Sequence, residues 1–381
     1  MKDKLSLMIP GPTPVPESVL KAFSKHPIGH RSKDFQSVVQ RTHELLKWLH
    51  QTNQEVMTIT GSGTAAMESA IINTLSRGDK VICGDNGKFG ERWVKVCQAY
   101  GLEVKIIRAD WGEPLDPEEF KNCLKTDKNI KAVIVTHSET STGVLNDLEL
   151  IAKHTKEQSN ALVIADCVTS LGACNVPMDK WNIDVVASGS QKGYMMPPGL
   201  SFVALSKKAW DSTESSNLPK FYLNLKSYKK SLEKSNTPFT PAVNLYFALE
   251  SSLIMMNKEG LPEIFKRHER LKRAAQASME SIGLKLFAKK GYGSPAITSV
   301  EPVGFNAELI RKIMKDKYDI LLAGGQDHLK GKIFRIGHLG FVSDRDLISA
   351  VSSLETVIYE LNEKNQKIGP GLEAAYKALN S

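Results

Sequence analysis

The sequence predicts an α/β fold: a large domain in which a mainly parallel, mixed sheet lies between layers of helices, followed by a smaller C-terminal α+β domain. Three observations predict it. Between about residues 55 and 205, short apolar runs end in polar residues or glycine. Most of these runs are separated by helix-length segments, which is typical of parallel sheets covered on both faces. The last third of the chain has its own set of strand and helix patterns.

The apolar runs define the predicted strands of the large sheet. In chain order they are Val56–Thr60, Lys80–Cys83, Val104–Ile107, Ala132–Thr136, Ala161–Ala165, Val185–Ala187 and Ser201–Leu205. Ligands of such sheets bind at the carboxyl ends of the strands. The residues directly after each run are therefore the candidates for function.

The segments around the sheet have different patterns. The proline-rich stretch Ile9–Pro16 predicts an extended arm, because proline disfavours both helix interiors and central strands. Apolar residues with helical spacing predict a helix over Asp34–His50. Residues 206–245 are expected to be irregular, and one long helix is expected from Val243 to about Met279.

The domain boundaries follow from these patterns. We expect an N-terminal arm over residues 1–15, a large domain over 16–255 and a small domain over 256–381. In the small domain, Lys332–Ile336 has the pattern of a strand and Asp344–Leu361 that of a helix.

The composition argues against several classes of partner. The net charge is +8, but the basic residues are spread along the chain, with only a loose cluster at 226–234. No basic stripe alternates with aromatic residues, so nucleic-acid binding is not expected.

The N-terminus lacks the apolar core of a signal peptide, and no apolar run is long enough to cross a membrane. An odd number of scattered cysteines suits a reducing compartment, so a cytoplasmic location is expected.

Three features at the predicted strand ends carry chemistry. Thr60–Glu68 is a Gly-rich turn followed by good helix formers, and such a turn exposes backbone N–H groups that bind phosphate, although it is equally compatible with a plain strand-to-helix connection. Asp166 directly follows a buried strand, where a carboxylate needs a cation, a helix N-terminus or a salt bridge. Lys192, in the small-residue segment Ser188–Gly193, is either a surface lysine in a turn or an amine whose lowered pKa suits imine formation.

Together the three features predict a pyridoxal 5'-phosphate (PLP) enzyme that holds its cofactor as a Schiff base on Lys192. This cofactor requires an anion site, a carboxylate for its ring nitrogen and an imine-forming lysine. The phosphate turn, the strand-end aspartate and the strand-end lysine occur in that order and at one predicted edge of the sheet.

The chain also resembles the class V aminotransferases of PLP fold type I, in the alanine–glyoxylate and serine–glyoxylate (serine–pyruvate) branch. The resemblance covers essentially the whole chain. Its motifs are Ser188–Lys192 with Pro197–Gly199, Thr60–Thr64, Thr136–Gly143, Asp166–Val168, Pro10–Pro12 and Phe334–Gly337.

The resemblance implies roles around the cofactor ring. Lys192 would hold the cofactor and, once displaced, move the α-proton of the substrate. Asp166 would keep the ring nitrogen protonated. Phe89 would stack on one face of the ring, where other members often have Trp, and Val168 would pack on the other. Thr140 would approach the ring hydroxyl.

The resemblance also implies the phosphate and substrate contacts. The cofactor phosphate would be held by Ser62, Gly63, Thr64 and Gln191. Arg335 would bind the substrate α-carboxylate through its planar fork, although without the resemblance a structural ion pair is the commoner role. Gly11, in the arm, would cover the substrate.

Members of the family form homodimers with sites at the subunit interface. Thr240 would reach the phosphate in the partner's site, although it stands in Pro238–Pro241 rather than in the usual Tyr-His-His-Thr run. His30 and Arg31 would border the neighbouring site, or form an exposed loop before a helix capped at Ser32.

The expected reaction is ping-pong transamination from alanine or serine to glyoxylate or pyruvate. A cysteine desulfurase is disfavoured because no cysteine follows Cys174. Phosphoserine- or aspartate-type class V aminotransferases are alternatives, since the His-Arg-Ser segment is similar in the phosphoserine enzymes. A non-catalytic subunit of the kind labelled soluble hydrogenase small subunit is another, although the five scattered cysteines do not supply the clustered thiolates that a metal redox subunit needs.

Overall fold

The computed structural model describes residues 5–362 and 367–381. Within these residues, a seven-stranded sheet forms the centre of the first part of the chain and a five-stranded sheet that of the second. The strands are β1 (Ser6–Met8), β2 (Val56–Thr60), β3 (Lys80–Asp85), β4 (Glu103–Arg108), β5 (Ile130–Thr136), β6 (Ser138–Glu139), β7 (Val144–Leu145), β8 (Leu162–Asp166), β9 (Val185–Gly189), β10 (Leu200–Leu205), β11 (Lys285–Leu286), β12 (Ile297–Glu301), β13 (Ile320–Gly324) and β14 (Phe334–Gly337).

The helices alternate with the strands in the first part of the chain and cover the second sheet. They are α1 (Glu17–Phe23), α2 (Lys33–His50), α3 (Gly63–Thr74), α4 (Lys88–Ala99), α5 (Pro117–Thr126), α6 (Leu148–Gln158), α7 (Lys207–Ser212), α8 (Leu225–Leu232), α9 (Val243–Glu259), α10 (Leu261–Ser281), α11 (Ala307–Tyr318), α12 (Asp344–Leu361) and α13 (Pro370–Leu379).

The large sheet has the strand order β2-β10-β9-β8-β5-β3-β4. All its neighbouring strands are parallel except β10, which is antiparallel to both β2 and β9. Each predicted run is a strand of this sheet, so the predicted mainly parallel, mixed sheet is confirmed.

Helices cover both faces of the large sheet because its strands are apolar on both sides. In β5, Val133 and Val135 belong to one core cluster, together with residues of α2 and α9. Ala132 and Ile134 belong to the cluster on the other face, with residues of α3 and α4. This alternation places the buried sheet between two helical layers and leaves its carboxyl-terminal edge for a site.

The second sheet has the order β1-β13-β14-β12-β11. Its first strand comes from the N-terminus, since Ser6–Met8 pairs in parallel with Ile320–Leu322. The predicted arm therefore begins as an edge strand of the second sheet before it runs to the large domain. The first four residues of the arm lie outside the described part of the chain.

Two predictions about helices were wrong. The segment 206–245 is not irregular throughout, because it contains α7 and α8, whose first turns are capped by the side chains of Ser206 and Asn224. The long helix predicted from Val243 to Met279 is two helices. It breaks at Gly260, whose φ of 84° suits glycine, and Pro262 follows in the first turn of α10.

The division into domains stays a proposal. Because α9 crosses the expected boundary at residue 255, we propose to place the boundary at Gly260, between α9 and α10. Among the helices in the described residues, none has both the length and the apolar character that a membrane crossing requires.

Candidate active site

Nine residues predicted to bind the cofactor meet at the carboxyl-terminal edge of the large sheet. They line one cavity of about 250 Å³. The nine residues are Ser62, Gly63, Thr64, Phe89, Thr140, Asp166, Val168, Gln191 and Lys192. Asp166 is the last residue of β8, Lys192 follows β9, and Gly63 opens α3 after β2. The residues come together because these strands lie close to one another in the sheet and end at the same edge.

A second cavity of about 360 Å³ lies beside the first. It is lined by the two predicted substrate residues, Gly11 and Arg335. Phe89, Thr140 and Lys192 line both cavities. The two cavities are therefore adjacent, and Lys192 lies at their junction.

The turn between β2 and α3 leaves backbone donors free. Ser62 precedes the helix in an extended conformation, and its side chain does not cap it. No described residue accepts a hydrogen bond from the backbone N–H of Gly63 or Thr64. A Cβ on Gly63 would lie 3.1 Å from Cγ2 of Val168, so glycine lets Val168 pack closely against this turn. Unpaired N–H groups at a helix N-terminus attract an anion.

Asp166 is buried and well ordered by two donors. Trp93 Nε1 donates to its Oδ2 at 3.0 Å, and the backbone N–H of Val168 donates to its Oδ1 at 3.0 Å. Burial raises the pKa of the Asp166 carboxyl, while these hydrogen bonds and the charges of Arg92 and Lys192 oppose the rise. The carboxylate would be further stabilised by a cation in the cavity.

Lys192 is buried, and its Nζ donates to the carbonyl oxygen of Pro10 at 2.7 Å. Burial and, to a lesser degree, the charge of Arg335 lower the pKa of the Lys192 amine to about 8, whereas Asp166 acts in the opposite direction. The arm packs tightly here: a Cβ on Gly11 would lie 2.7 to 2.8 Å from the last three side-chain atoms of Lys192. The Gly11 φ of +147° also favours glycine.

Arg335 lies on β14 with its guanidinium buried among backbone oxygens. Its Nε and Nη2 donate to Gly324 O at 2.9 and 2.7 Å, and its Nη1 donates to Thr140 O at 2.8 Å. No carboxylate among the described residues forms an ion pair with it. Burial lowers the pKa of Arg335 to about 10, opposed by the negative charge of Glu139. A buried guanidinium that contacts only neutral oxygens can also bind the carboxylate of a small molecule in the cavity.

Two residues predicted at a subunit interface lie apart from the cavities. Thr240 is exposed and lines neither of them. Arg31 donates to the side-chain oxygen of Asn236 and to the backbone oxygen of Thr237. The Arg31 loop and the segment that leads to Thr240 are therefore neighbours on the surface.

Sequence reasoning missed four residues of the site. Trp93 donates a hydrogen bond to Asp166, and Thr169 Oγ1 lies 2.7 Å from Thr140 Oγ1. Arg92 lines the first cavity. Glu139 accepts a hydrogen bond from the backbone N–H of Phe89. Helical spacing could have found Trp93, because it lies one turn after Phe89 on α4.

Known proteins with similar sequences and structures agree with this geometry. A family model for class V aminotransferases matches residues 7–337. A relative named soluble hydrogenase, small subunit, from Synechococcus sp. (strain PCC 6716) is 58% identical over the full length of both chains. An L-aspartate–glyoxylate aminotransferase from Paracoccus denitrificans is 36% identical, with 98% of this chain and 96% of that protein covered.

The solved structure of an alanine–glyoxylate aminotransferase from Nostoc sp. superimposes with a TM-score of 0.89, at 32% identity, covering 93% of this chain and 95% of that one. The strand order of the large sheet, the converging strand ends and the family match over residues 7–337 lead to one conclusion. The chain belongs to the class V aminotransferases and is a PLP-dependent transaminase.

Proposed function

We propose that the enzyme transfers the amino group of a small amino acid, alanine or serine, to a small 2-oxo acid, glyoxylate or pyruvate, by a ping-pong mechanism. The observation that carries the proposal is the position of Lys192 at the junction of a cavity that contains Asp166 and a cavity that contains Arg335. One amine can thus serve both a cofactor held at Asp166 and a substrate held by its carboxylate at Arg335.

Pyridoxal phosphate fits the chemistry of the first cavity. The free N–H groups of Gly63 and Thr64 suit its phosphate. Gln191 lines the same cavity, and the NH₂ group of its side chain would donate to the phosphate. The buried Asp166 would bind its ring nitrogen. When bound, the cofactor supplies an electron sink for the substrate α-carbon. Phe89 and Val168 would cover the two ring faces, Ser62 would join the phosphate contacts, and Thr140 would approach the ring hydroxyl.

Lys192 is suited to moving a proton at the reacting carbon. With a pKa of about 8, a substantial fraction of its amine is neutral near physiological pH, so Nζ can accept a proton and return it. Its hydrogen bond to Pro10 O fixes the side chain, and its burial keeps water from the reacting atoms. These properties support its role as the catalytic base and acid.

Arg335 is suited to orienting the substrate. Its two sets of bonds, to Gly324 O and Thr140 O, fix the plane of the guanidinium. A carboxylate that approaches from the second cavity would meet a charged, preorganised donor group. Gly11 and Ala323 also line this cavity, and these small residues support a preference for a small substrate.

An aspartate-type enzyme is a second candidate, supported by Arg92. This side chain lines the first cavity, and its guanidinium carbon lies 4.7 Å from the centre of the Phe89 ring. No hydrogen bond or ion pair of Arg92 is found within the described residues. A second cation would suit a substrate with an acidic side chain, as the name of the Paracoccus denitrificans relative indicates for that protein. Phosphoserine would fit the same argument.

A half-reaction screen distinguishes these candidates. Holoenzyme is mixed separately with alanine, serine, aspartate and phosphoserine, and the loss of the cofactor's lysine-bound absorbance is followed. We expect alanine or serine to react fastest. A much faster reaction with aspartate or phosphoserine would replace the proposed donor. The absence of any reaction would contradict the proposed transamination and favour the alternative of a non-catalytic subunit; the Synechococcus relative is named soluble hydrogenase, small subunit.

We further propose a cytoplasmic homodimer in which Thr240 and the loop of Arg31 border the partner's site. Support comes from an aromatic surface beside Thr240, in which the exposed rings of Phe221 and Tyr222 pack against the half-buried ring of Phe239. Tyr222 also donates to the backbone oxygen of Thr60 at the start of the phosphate turn. Light scattering of the purified protein tests the dimer: a monomer with full transaminase activity would contradict it.

A further inference from the structure

We propose that Glu139 is a positioning residue: its carboxylate closes the first turn of α4 from outside the helix and so fixes Phe89 of the cofactor cavity relative to Arg335 of the substrate cavity. The inference rests on the proposed roles of Phe89, Thr140 and Arg335. It concerns a residue that touches neither cavity and therefore acts through its neighbours.

Helix α4 lacks an N-cap side chain of its own, because the residue that precedes it is Gly87. The missing acceptor comes from a different segment. The backbone N–H groups of Phe89 and Gly90 both donate to Glu139 Oε2 at 3.1 Å. The first donors of a helix otherwise lack partners, so this carboxylate stabilises the turn that carries Phe89.

The second carboxylate oxygen completes the cap. Glu139 Oε1 accepts from the backbone N–H of Ser141 at 3.1 Å and from its hydroxyl at 2.6 Å. The hydroxyl oxygen of Ser141 in turn accepts from the backbone N–H of Lys88 at 3.0 Å. The first three N–H groups of α4 are thus all bound by the turn that contains Glu139 and Ser141.

The contact between the turn and the helix is tight. Glu139 is fully buried, and a Cβ on Gly87 would lie 2.4 Å from its Cγ. Burial raises the pKa of the Glu139 carboxyl to about 7, opposed by its hydrogen bonds with Ser141 and Gly90. The positive end of α4 and these charge-assisted bonds favour the ionised form. The carboxylate can therefore act as a short, rigid link.

This link joins both cavities through adjacent residues. The residue after Glu139 is Thr140, whose backbone oxygen accepts from Arg335 Nη1 and whose side chain lines both cavities. On the helix side, Trp93 follows Phe89 by one turn and donates to Asp166. A shift of the turn relative to α4 would therefore move Phe89 away from Thr140 and loosen the support of Arg335.

The test compares Glu139→Gln with the parent enzyme. The glutamine side chain has nearly the shape of the glutamate side chain but carries no charge. Its NH₂ group replaces one of the two acceptor oxygens, so it faces the donors of either Ser141 or the first turn of α4. We expect the dissociation constant for pyridoxal phosphate and the KM for the amino donor each to rise roughly tenfold to a hundredfold, the factor that corresponds to the loss of one charged hydrogen bond. The visible circular dichroism of the bound cofactor should also change, because the ring loses its fixed contact with Phe89.

A matched control separates positioning from stability. Glu355 is also buried and accepts the backbone N–H of Gly371 in the first turn of α13, in the small domain. Glu355→Gln should lower the thermal midpoint without changing cofactor affinity, KM or the dichroic spectrum. Ser141→Ala, which removes one ligand of the Glu139 carboxylate and the partner of Lys88 N–H, should show a weaker version of the Glu139→Gln effects.

Three results are possible. Weakened cofactor binding, a raised KM and an altered spectrum in Glu139→Gln, and more weakly in Ser141→Ala, but not in Glu355→Gln, support the positioning role. A Glu139→Gln enzyme that loses thermal stability as Glu355→Gln does, but keeps its cofactor dissociation constant within twofold, overturns it. If the parent protein binds no pyridoxal phosphate, the proposed function itself fails, and that outcome is seen before any variant is measured.

Discussion

At the scale of single residues, Lys192 shows how burial changes an ordinary side chain. Its Nζ donates to Pro10 O. Burial and, to a lesser degree, the charge of Arg335 lower the pKa of its amine. Both effects favour the neutral amine, which is the form that attacks a carbonyl group.

The lowered pKa predicts a pH dependence. Only the neutral amine reacts, and its pKa falls from the ordinary 10.5 to about 8. The rate at which cofactor-free protein binds pyridoxal phosphate covalently should therefore rise with pH through about 8 and become level above it. Stopped-flow absorbance over a pH series measures this rate. A rate that still rises steeply near the ordinary pKa of lysine would contradict the buried, charge-opposed environment.

The proposed role of Arg335 predicts that its substitution weakens substrate binding much more than it slows the chemical step. Arg335→Lys keeps the charge but loses the fork that Gly324 O and Thr140 O hold in plane. We expect the KM for the amino donor to rise roughly tenfold to a hundredfold, since one charged hydrogen bond is worth about 1.5–3 kcal/mol. The kcat should change much less. Steady-state kinetics measures both.

A distant arginine serves as the control for that variant. Arg270 pairs with Asp344 on the surface of the second part of the chain, so Arg270→Lys should leave both constants unchanged. If Arg335→Lys also leaves KM unchanged, Arg335 does not bind the substrate.

The sequence was sufficient to predict the site residues that directly follow strands. It was not sufficient to predict the residues that hold those site residues in position. Asp166 and Lys192 each follow an apolar run, so the sheet pattern alone brings them to one edge. Glu139 does lie in the strand-end motif Thr136–Gly143, but the motif does not show which groups its carboxylate contacts, and Arg92 does not directly follow a strand. Glu139 accepts from the first turn of α4, and Arg92 lies on α4 beside the Phe89 ring. The contact of Glu139 with the helix, and the position of α4 beside the cavity, depend on tertiary packing and not on sequence spacing.

At the scale of secondary-structure elements, α4 and the turn after β5 behave as one unit. Gly87 is required at their contact, because any side chain there would meet Glu139 and Ser141. Gly87→Ala should therefore force the helix and the turn apart. Overpacking of this kind costs about 1–3 kcal/mol of the free energy of unfolding.

The expected result is a lower thermal midpoint together with weaker cofactor binding. Gly29→Ala is the matched control for thermal stability, since a Cβ at Gly29 meets nothing within 4 Å. Because Gly29 stands in the Arg31 loop, the cofactor binding of Gly87→Ala is compared with that of the parent enzyme. Thermal unfolding and cofactor titration of both variants check the prediction. Equal stability of the two variants would show that the close contact at Gly87 is not required.

The errors in predicting elements have specific causes. In the segment 206–245, α7 and α8 are only six and eight residues long. Each is too short for helical spacing to be recognised, although Leu225 and Tyr228 of α8 are buried three residues apart. The break at Gly260 interrupts a pattern that is periodic on both sides, and one glycine before a proline is a weak signal at that length.

At the scale of the whole molecule, the N-terminal arm connects the two sheets. Ser6–Met8 is an edge strand beside β13, and two residues later Pro10 O binds Lys192 at the large sheet. Sequence patterns predicted two domains but not this connection, because a three-residue edge strand pairs with a segment more than 300 residues away.

The arm predicts the effect of a deletion. Removal of residues 1–11 takes away the acceptor for Lys192 Nζ and the Gly11 wall of the second cavity. We expect the protein to fold and to bind pyridoxal phosphate, with a KM for the amino donor at least several-fold higher. Cofactor titration and steady-state kinetics test this. An unchanged KM would show that the arm does not cover the substrate.

The central claim is that Lys192 carries the cofactor. Its most direct test is reduction of the purified protein with borohydride, followed by proteolysis and mass spectrometry of the peptides. The structure predicts one pyridoxyl group, attached to Nζ of Lys192. A pyridoxyl group on a different lysine, or none on a protein that was saturated with pyridoxal phosphate, would contradict the account.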